Sequence, residues 1–294
     1  MTAEPVSPAS TASTLSPLGG ISGATRTFAL LGRPVRHSLS PWIHNRLLRA
    51  HGVDAVYVAL DVDPMHAGHV AQAIRALGLA GVNLTVPLKE TVIADLDACA
   101  PSAVRAGAAN VVVAEGGRLV GHNTDVHGFL SHLRTLDARL DRPAVVLGAG
   151  GAGRAVASAL LSAGVTELHL LNRTESRAHA VAQALSEQGT VWAGPLRPGC
   201  LSTIRPALVV NAVSGDGRPA VAALSIDSLP ERALWMDLNY WDAAPPHRQA
   251  LDASGHHFDD GWGMLVAQAV NAFTLFTGVR LSLHKAHDLL GPRP

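Results

Sequence analysis

A glycine-rich loop between an apolar strand and a helix constrains this fold more than any other part of the sequence. The apolar run Ala144–Leu147, of the kind found in buried parallel strands, leads directly into Gly148-Ala-Gly-Gly-Ala-Gly153, and a helix is predicted to follow through Leu161. In a G-x-G-x-x-G loop the first glycine permits a tight turn, the second lets the backbone approach a pyrophosphate, and the third lets the helix pack against the strand. The helix N-terminus then presents free N–H groups to the phosphates. We therefore predict a Rossmann-type unit whose dinucleotide contacts Gly148, Ala149, Gly150, Gly151, Ala152 and Gly153.

The residues after the next strand indicate which dinucleotide binds. NAD sites place a carboxylate there, which binds the ribose 2′-hydroxyl. The predicted strand Leu168–Leu171 ends instead in Asn172-Arg173-Thr174, with no acid at its tip. Arg173 offers a fixed, planar positive charge that suits a 2′-phosphate. We predict NADP(H) rather than NAD; the alternative is that Arg173 is only a solvated surface charge.

Strands and helices alternate along the remaining chain, which is typical of an α/β protein with mainly parallel sheets. A length of 294 residues favours about two domains. A hairpin is predicted around Gly116-Gly117. From Trp262 to Phe276 apolar residues recur at helical spacing, and Gly278 should end that last helix. Further strands are predicted over 28–31, 55–60, 81–85, 207–211 and 234–238, and helices over 41–50, with Ser40 as N-cap, and 67–77.

Composition excludes several classes of function. Lysine plus arginine equal aspartate plus glutamate at 23 each, which disfavours a nucleic-acid binder that works by charge. No apolar run reaches the roughly 20 residues of a membrane span. Cys99 and Cys200 form neither a metal-spaced pair nor a disulfide framework, so we expect no metal and a cytoplasmic protein. We expect residues 1–24, rich in serine, threonine, alanine and proline, to be a disordered extension.

The first half of the sequence contains polar segments whose residue types are candidates for binding or catalysis and are not required by the fold alone. Ser38 and Ser40 lie two apart before a predicted helix, so an extended chain would point both to one side; paired hydroxyls there suit a carboxylate, although plain helix capping is an alternative. Lys89 is one of only two lysines in the sequence, and the alternative for it is an exposed helix residue. Asn110 and Asp125 occupy turn-like positions, where such residues are common for structural reasons.

Taken together and in this order, the motifs resemble those of the shikimate dehydrogenase family over nearly the whole chain from Gly32 to Gly278. The matching segments are Ser-Leu-Ser-Pro at 38–41, Asn-x-Thr-x-Pro-x-Lys at 83–89, Asn-Thr-Asp at 123–125, the glycine loop at 148–155, Asn-Arg-Thr at 172–174, Asp-x-x-Tyr at 237–240 and Asp-Gly-x-x-Met-Leu-Val-x-Gln at 260–268.

The resemblance implies reversible reduction of 3-dehydroshikimate to shikimate with NADPH, in chorismate and aromatic amino acid biosynthesis. It implies a substrate domain over 25–125 plus 262–294 and an NADP-binding domain over 126–261. A small-molecule partner is expected, and a homodimer is left open. By motif position, the residues implied are Lys89 and Asp125 as the catalytic pair, Ser38 and Ser40 at the substrate carboxylate, Thr85, Asn110, Asp125 and Gln268 at its hydroxyls, Tyr240 near the substrate and Gly261 near the nicotinamide.

Departures from the family pattern leave the substrate open. Val111 stands where the family usually has threonine. The family usually places glycine directly after Asp125, whereas here Val126 and His127 precede Gly128. After Tyr240, residues Trp241 to Pro246 replace the usual segment. Quinate or an aminoshikimate is therefore an alternative substrate, although the intact Ser-Leu-Ser favours shikimate. A non-catalytic NADP-binding regulatory paralogue is a second alternative. A glutamyl-tRNA reductase-like enzyme would need a nucleophilic cysteine in its first domain, and we place Cys99 near the end of a helical stretch.

Overall fold

The computed structural model describes residues 20–136 and 138–294 of the chain. The extension expected over 1–24 therefore lies outside the described residues, except for 20–24. Over the described ranges the chain forms two six-stranded sheets with helices between the strands. The predicted α/β fold class is confirmed.

The first sheet contains β1 (Arg26–Gly32), β2 (Ala55–Asp61), β3 (Gly81–Leu84), β4 (Ala98–Cys99), β5 (Val111–Glu115) and β6 (Arg118–His122). Its strand order is β2-β1-β3-β5-β6-β4, and β5 runs antiparallel to both of its neighbours, whereas the other pairs are parallel. The predicted β5–β6 hairpin is confirmed, since Gly116 and Gly117 adopt φ of 56° and 79°, as a two-residue hairpin turn requires. The helices of this part are α1 (Ser40–Ala50), α2 (Val70–Ala76), α3 (Leu88–Thr91) and α4 (Pro101–Ala106).

The second sheet contains β7 (Ala144–Leu147), β8 (Leu168–Asn172), β9 (Val191–Pro195), β10 (Leu208–Asn211), β11 (Leu234–Asp237) and β12 (His257–Asp259). All pairs are parallel, in the order β12-β11-β10-β7-β8-β9. This is the Rossmann order, in which the crevice for a ligand lies where the winding reverses, here between β7 and β10. The helices of this part are α6 (Gly151–Ser162), α7 (Glu175–Ala184), α8 (Cys200–Ile204), α9 (Arg218–Ala222) and α10 (Arg248–Ala253).

Three further helices complete the fold: α5 (Asp125–Leu133), α11 (Trp262–Thr277) and α12 (Leu283–Leu290). The predicted last long helix is confirmed as α11, ended by Gly278 at φ 74°. Its Val266 and Phe273 pack with β1 of the first sheet, whereas its Met264 packs with the core of the second. Thus α11 lies against both halves of the molecule. No helix among the described residues is long and apolar enough to cross a membrane.

Two local predictions are wrong in detail. Ser40 is not the N-cap of α1 but its first residue, because Leu39 already has helical φ and ψ; the Ser38 hydroxyl accepts from the Ser40 N–H at 3.2 Å. The helix expected over 67–77 begins as a 3₁₀ segment, Pro64–His69, whose first turn is capped by the Asp63 carboxylate. Asparagine- or aspartate-type caps followed by proline are common helix starts, and this one precedes the apolar periodicity.

Buried His44 in α1 predicts an acid-sensitive contribution to stability. Its ring stacks on Tyr57 with centroids 4.2 Å apart, and burial lowers the pKa of His44 to about 3. The unfolded chain, in which this histidine titrates near its ordinary pKa of 6.5, therefore binds more protons between those two pH values. Stability is lost as the pH falls below about 6.5, by about 1.4 kcal/mol per pH unit for one group.

We expect His44→Phe to make the free energy of unfolding less dependent on pH. Urea denaturation between pH 4 and 6 should give a slope shallower than that of the unaltered chain by about 1.4 kcal/mol per pH unit. His66→Phe, at an exposed position, is the control and should keep the original slope. Equal slopes for all three proteins would contradict the assignment to His44.

Candidate active site

A lysine–aspartate pair lies where the two halves of the molecule meet. Lys89, in α3, donates to the Asp125 carboxylate with Nζ and Oδ2 2.6 Å apart. The two side chains are only 14% and 8% exposed. Asp125 is the first residue of α5, where a carboxylate is stabilised by the helix dipole. A buried ion pair of this kind needs further hydrogen bonds to offset its desolvation.

Asparagine side chains supply those hydrogen bonds. Asn110 Nδ2 donates to the other oxygen of Asp125 at 2.7 Å and to Thr124 Oγ1 at 3.0 Å. Asn110 Oδ1 accepts from the Thr124 N–H at 2.7 Å, and Asn123 Oδ1 accepts from the Asp125 N–H at 3.1 Å. The Asp125 carboxylate is thus held from two sides, and its orientation toward Lys89 is fixed.

The pair opens into a pocket between the sheets, which we call the inner pocket. Ten of its lining residues matter here: Ser38, Ser40, Asn83, Thr85, Lys89, Asn110, Asp125, Tyr240, Gly261 and Gln268. Every residue predicted for catalysis or for substrate binding therefore lines one cavity. Asn83 also lines the pocket, although the sequence predicts no role for it beyond its place in the 83–89 motif. It is buried in β3, accepts from the Tyr57 hydroxyl at 2.7 Å and donates to the Asn110 carbonyl.

Ser38 and Ser40 reach the inner pocket from a turn rather than from an extended segment, since Leu39 between them is helical. Ser40 is buried, and Ser38 lies beside the Tyr240 hydroxyl, which donates to Ser38 Oγ at 3.5 Å. Burial raises the pKa of Tyr240, against the opposing effect of that hydrogen bond. Two serine hydroxyls and a phenol that stays protonated form a neutral donor cluster, which suits an anionic oxygen.

Gln268 is placed by close packing of two helices. It lies in α11, is buried, and donates to the Leu265 carbonyl at 2.9 Å. A Cβ added at Gly128 in α5 would lie 2.7 Å from the Gln268 backbone nitrogen. Glycine at 128 therefore allows α5, which begins with Asp125, to pack closely against α11, which carries Gln268.

The glycine loop forms a groove next to this pocket, lined by residues 148–152 and by the turn after β8. Gly148 adopts φ 100°, and a Cβ at Gly153 would lie 1.8 Å from the Gly148 carbonyl oxygen. At Gly150 a Cβ would meet nothing within 4 Å, so the backbone there faces open space. The loop thus has the tight turn, the open approach and the close helix packing expected of a pyrophosphate site.

Asn172, Arg173 and Thr174 also line the groove, as predicted from the sequence. Asn172 Oδ1 accepts from the Ala149 N–H at 3.2 Å and so ties this turn to the glycine loop. Arg173 is exposed and donates to the Asp216 carbonyl at 3.2 Å. Arg177, in the first turn of α7, adds a second guanidinium that is not predicted from the sequence. Its position four residues after Arg173 is the pattern that could have indicated it.

The groove and the inner pocket adjoin each other. Lys89, Ala152, Ala212 and Ser214 line both. A Cβ at Gly151 would lie 3.3 Å from the Lys89 Cβ. The glycine loop therefore lies directly against the lysine, and a dinucleotide in the groove would extend toward the Lys89–Asp125 pair.

A second, partly buried contact, between His132 and Asp259, stabilises the pocket wall that contains Gly261. Asp259 accepts from the Gly261 N–H at 2.9 Å through Oδ1 and contacts His132 Nε2 at 2.8 Å through Oδ2. Gly261 itself has φ 71° and lies against the Asp237 carbonyl. These contacts join α5 to the turn before α11 and hold Gly261 at the pocket wall.

Neither cysteine has the surroundings of a nucleophile. Cys99 lies in β4, paired with β6, so the helical placement predicted for it is wrong. Burial raises the pKa of both Cys99 and Cys200, which lowers the thiolate fraction on which reactivity depends. The cysteine that a glutamyl-tRNA reductase-like mechanism requires is thus not provided by either residue.

Comparison with known proteins gives one consistent family. A family model described as "Shikimate dehydrogenase substrate binding domain" matches residues 30–112, and one described as "Shikimate / quinate 5-dehydrogenase" matches 133–194. A shikimate dehydrogenase (NADP(+)) of Rhodospirillum rubrum is 41% identical over 273 residues, which cover 88% of this chain and 94% of the relative.

Two solved structures extend the comparison to the fold. Shikimate 5-dehydrogenase from Thermus thermophilus, in complex with NADP(H) and shikimate, has a TM-score of 0.77 and 37% identity and covers 90% of this chain and 98% of its own. Quinate dehydrogenase from Corynebacterium glutamicum, in complex with NAD, has a TM-score of 0.77 and 30% identity, with coverage of 90% and 98%. The similarity spans both sheets.

Proposed function

Because this chain belongs to the shikimate dehydrogenase family, we propose that it catalyses the reversible, NADPH-dependent reduction of 3-dehydroshikimate to shikimate. The observation that carries this proposal is the buried Lys89–Asp125 pair at the junction of the inner pocket and the glycine-loop groove. The protein is an oxidoreductase that acts on a CH–OH group, and its cofactor is NADP(H).

The groove fits such a cofactor. The open backbone at Gly150 and the free N–H groups at the start of α6 suit a pyrophosphate. Arg173, Thr174 and Arg177 are the groups for the 2′-phosphate, and Gly261 lines the inner pocket that adjoins the groove. When bound, NADPH supplies the hydride.

The hydrogen-bond donors around the inner pocket support a proposal for how the substrate binds. Ser38 and Ser40 would bind the ring carboxylate, with the Tyr240 hydroxyl beside them. Thr85, Asn110, Asp125 and Gln268 would hold the ring hydroxyls. The ring would then lie between the serines and Lys89.

Lys89 would transfer the proton, and Asp125 would orient the lysine. Reduction of a ketone leaves negative charge on its oxygen, which an adjacent ammonium stabilises and then protonates. Lys89 Nζ is the donor at this position, and Asp125, itself fixed by Asn110, orients the ammonium. In the reverse direction Lys89 accepts the proton from the ring hydroxyl. The non-catalytic paralogue is disfavoured because both members of the pair are present and in contact.

The remaining assignments follow from the same reasoning. We propose that residues 25–125 plus 262–294 form the substrate domain and that 126–261 form the NADP-binding domain. A cytoplasmic role in chorismate biosynthesis fits the proposed reaction, and a homodimer is one oligomeric state to test.

A nicotinamide absorbance assay tests the function. Purified protein is supplied with shikimate and NADP⁺, beside quinate, an aminoshikimate and NAD⁺, and we expect the fastest turnover with shikimate and NADP⁺. Turnover of another ring acid in place of shikimate would transfer the assignment to that substrate. If protein that still binds NADPH turned over none of these substrates, the catalytic role would be rejected and the regulatory paralogue favoured.

A further inference from the structure

Two aromatic rings from different parts of the chain meet at the edge of the inner pocket. His37 comes from the turn between β1 and α1, and Trp241 from the segment after β11. Their ring centroids are 4.4 Å apart with planes tilted by 49°, and both line the inner pocket. We call this pair the aromatic wall.

The wall is held in place from the Trp241 side. Trp241 packs edge-on against Tyr240, with centroids 4.9 Å apart, and Tyr240 donates to Ser38. The next residue, Asp242, forms an ion pair with Arg218 of α9 and accepts from the Ala244 N–H at 3.1 Å. Trp241 is therefore anchored on both sides, although 36% of its surface remains exposed.

The His37 side is an exposed ring whose neutral form is favoured. Partial burial lowers the pKa of His37, with Asp61 acting in the opposite direction. The wall thus presents two neutral, flat surfaces directly beside Ser38. It offers no full charge to a carboxylate, and the faces of the two rings, as distinct from their ring nitrogens, offer no hydrogen bond to a hydroxyl.

We propose that the aromatic wall of His37 and Trp241 is a specificity determinant that favours ring acids whose carboxyl-bearing carbon is planar. This proposal rests on the proposed function, which places the ring carboxylate at Ser38 and Ser40. In shikimate that carbon belongs to a double bond and its carboxylate lies flat, whereas in quinate it is tetrahedral and carries a hydroxyl. A hydroxyl pushed against indole and imidazole faces loses its water without gaining a partner, and such unpaired polar groups are costly.

The departure from the family pattern at 241–246 is thereby given a role. A tryptophan after Tyr240 adds a large rigid surface beside Ser38, at the carboxylate end of the pocket rather than at the Lys89–Asp125 pair. The wall should change which ring acid binds without changing how the proton moves.

Trp241→Ala tests the proposal through the ratio of kcat/KM for quinate to kcat/KM for shikimate, both with NADP⁺. We expect this ratio to rise about 10-fold, a typical worth of one apolar contact in a pocket. Trp241→Phe retains a flat ring and should stay near the original ratio. Trp192→Ala removes a partly exposed tryptophan on β9 and is the matched control, with no change expected.

A double-mutant cycle shows whether the two rings act together. In a His37→Leu background the effect of Trp241→Ala on the ratio should be smaller, because contacting residues are non-additive. An unchanged ratio in Trp241→Ala, with the unaltered chain active on shikimate, would overturn the specificity proposal alone. An unaltered chain that oxidises neither ring acid would overturn the proposed function and this inference with it.

Discussion

Replacement of Lys89 by methionine should lower kcat for 3-dehydroshikimate reduction about 100- to 10,000-fold, the usual worth of a positioned general acid. Methionine has a similar length and no proton to give, and it leaves the Asp125 carboxylate without its cation. The KM for NADPH should change much less than kcat, because Lys89 is one residue at the edge of a groove whose phosphate-binding part is formed by the glycine loop and by the turn after β8. Steady-state kinetics in both directions measure the effect.

Lys285→Met is a matched control, since Lys285 is the only other lysine and lies exposed in α12. Lys89→Arg keeps the charge but not a releasable proton, so it should bind substrate better than Lys89→Met and still turn over slowly. With NADPH deuterated at the transferred position, the isotope effect on kcat should rise in Lys89→Met, which a purely structural defect would not produce. A kcat within tenfold of the unaltered chain, in folded protein, would remove Lys89 from the mechanism.

The parts of this fold that the sequence predicts well are those fixed by neighbouring residues. The glycine loop is one, because strand, turn and helix follow each other within twenty residues and each glycine has a local steric reason. The α11 helix and the β5–β6 hairpin are others, since periodicity and a Gly-Gly turn are local patterns. The family resemblance drawn from the motifs is confirmed by the comparisons.

Elements that depend on distant partners were not predicted. The strand β4 has two residues and β12 has three, too few to show an alternation, and both exist because a neighbouring strand offers hydrogen bonds. The residue type of Ser40 is typical of a cap, yet Leu39 before it already has helical φ and ψ, so the helix begins one residue earlier than the sequence predicts.

The site itself depends on such long-range placement. Lys89 and Asp125 are 36 residues apart, and nothing in their spacing indicates a 2.6 Å contact; only the family resemblance joined them. The contact between His132 and Asp259 spans 127 residues and had no sequence clue. The aromatic wall is similar, because Trp241 stood out only as a departure from the family pattern. The roles of all these residues stay predictions.

Replacement of Arg173 by alanine should raise the KM for NADP⁺ about 10- to 100-fold, since a hydrogen bond to a charged group is worth about 1.5–3 kcal/mol. The KM for NAD⁺ should hardly change, because NAD⁺ has no 2′-phosphate for this guanidinium to bind. The selectivity for NADP⁺ over NAD⁺ should fall by the same factor, and inhibition by 2′,5′-ADP should weaken in parallel.

The design of that experiment separates phosphate recognition from loop damage. Arg173 lies at the carboxyl end of β8, whereas exposed Arg142 precedes the amino end of β7, at the opposite edge of the parallel sheet. Arg142→Ala removes an equal charge away from the groove and should leave both KM values unchanged. If Arg173→Ala raised the KM for NADP⁺ and NAD⁺ equally, the arginine would act by holding the 216 segment through its contact with the Asp216 carbonyl. If neither value moved, Arg177 would be the remaining guanidinium in the groove for the 2′-phosphate, and Arg177→Ala would then have to show the loss of NADP⁺ selectivity.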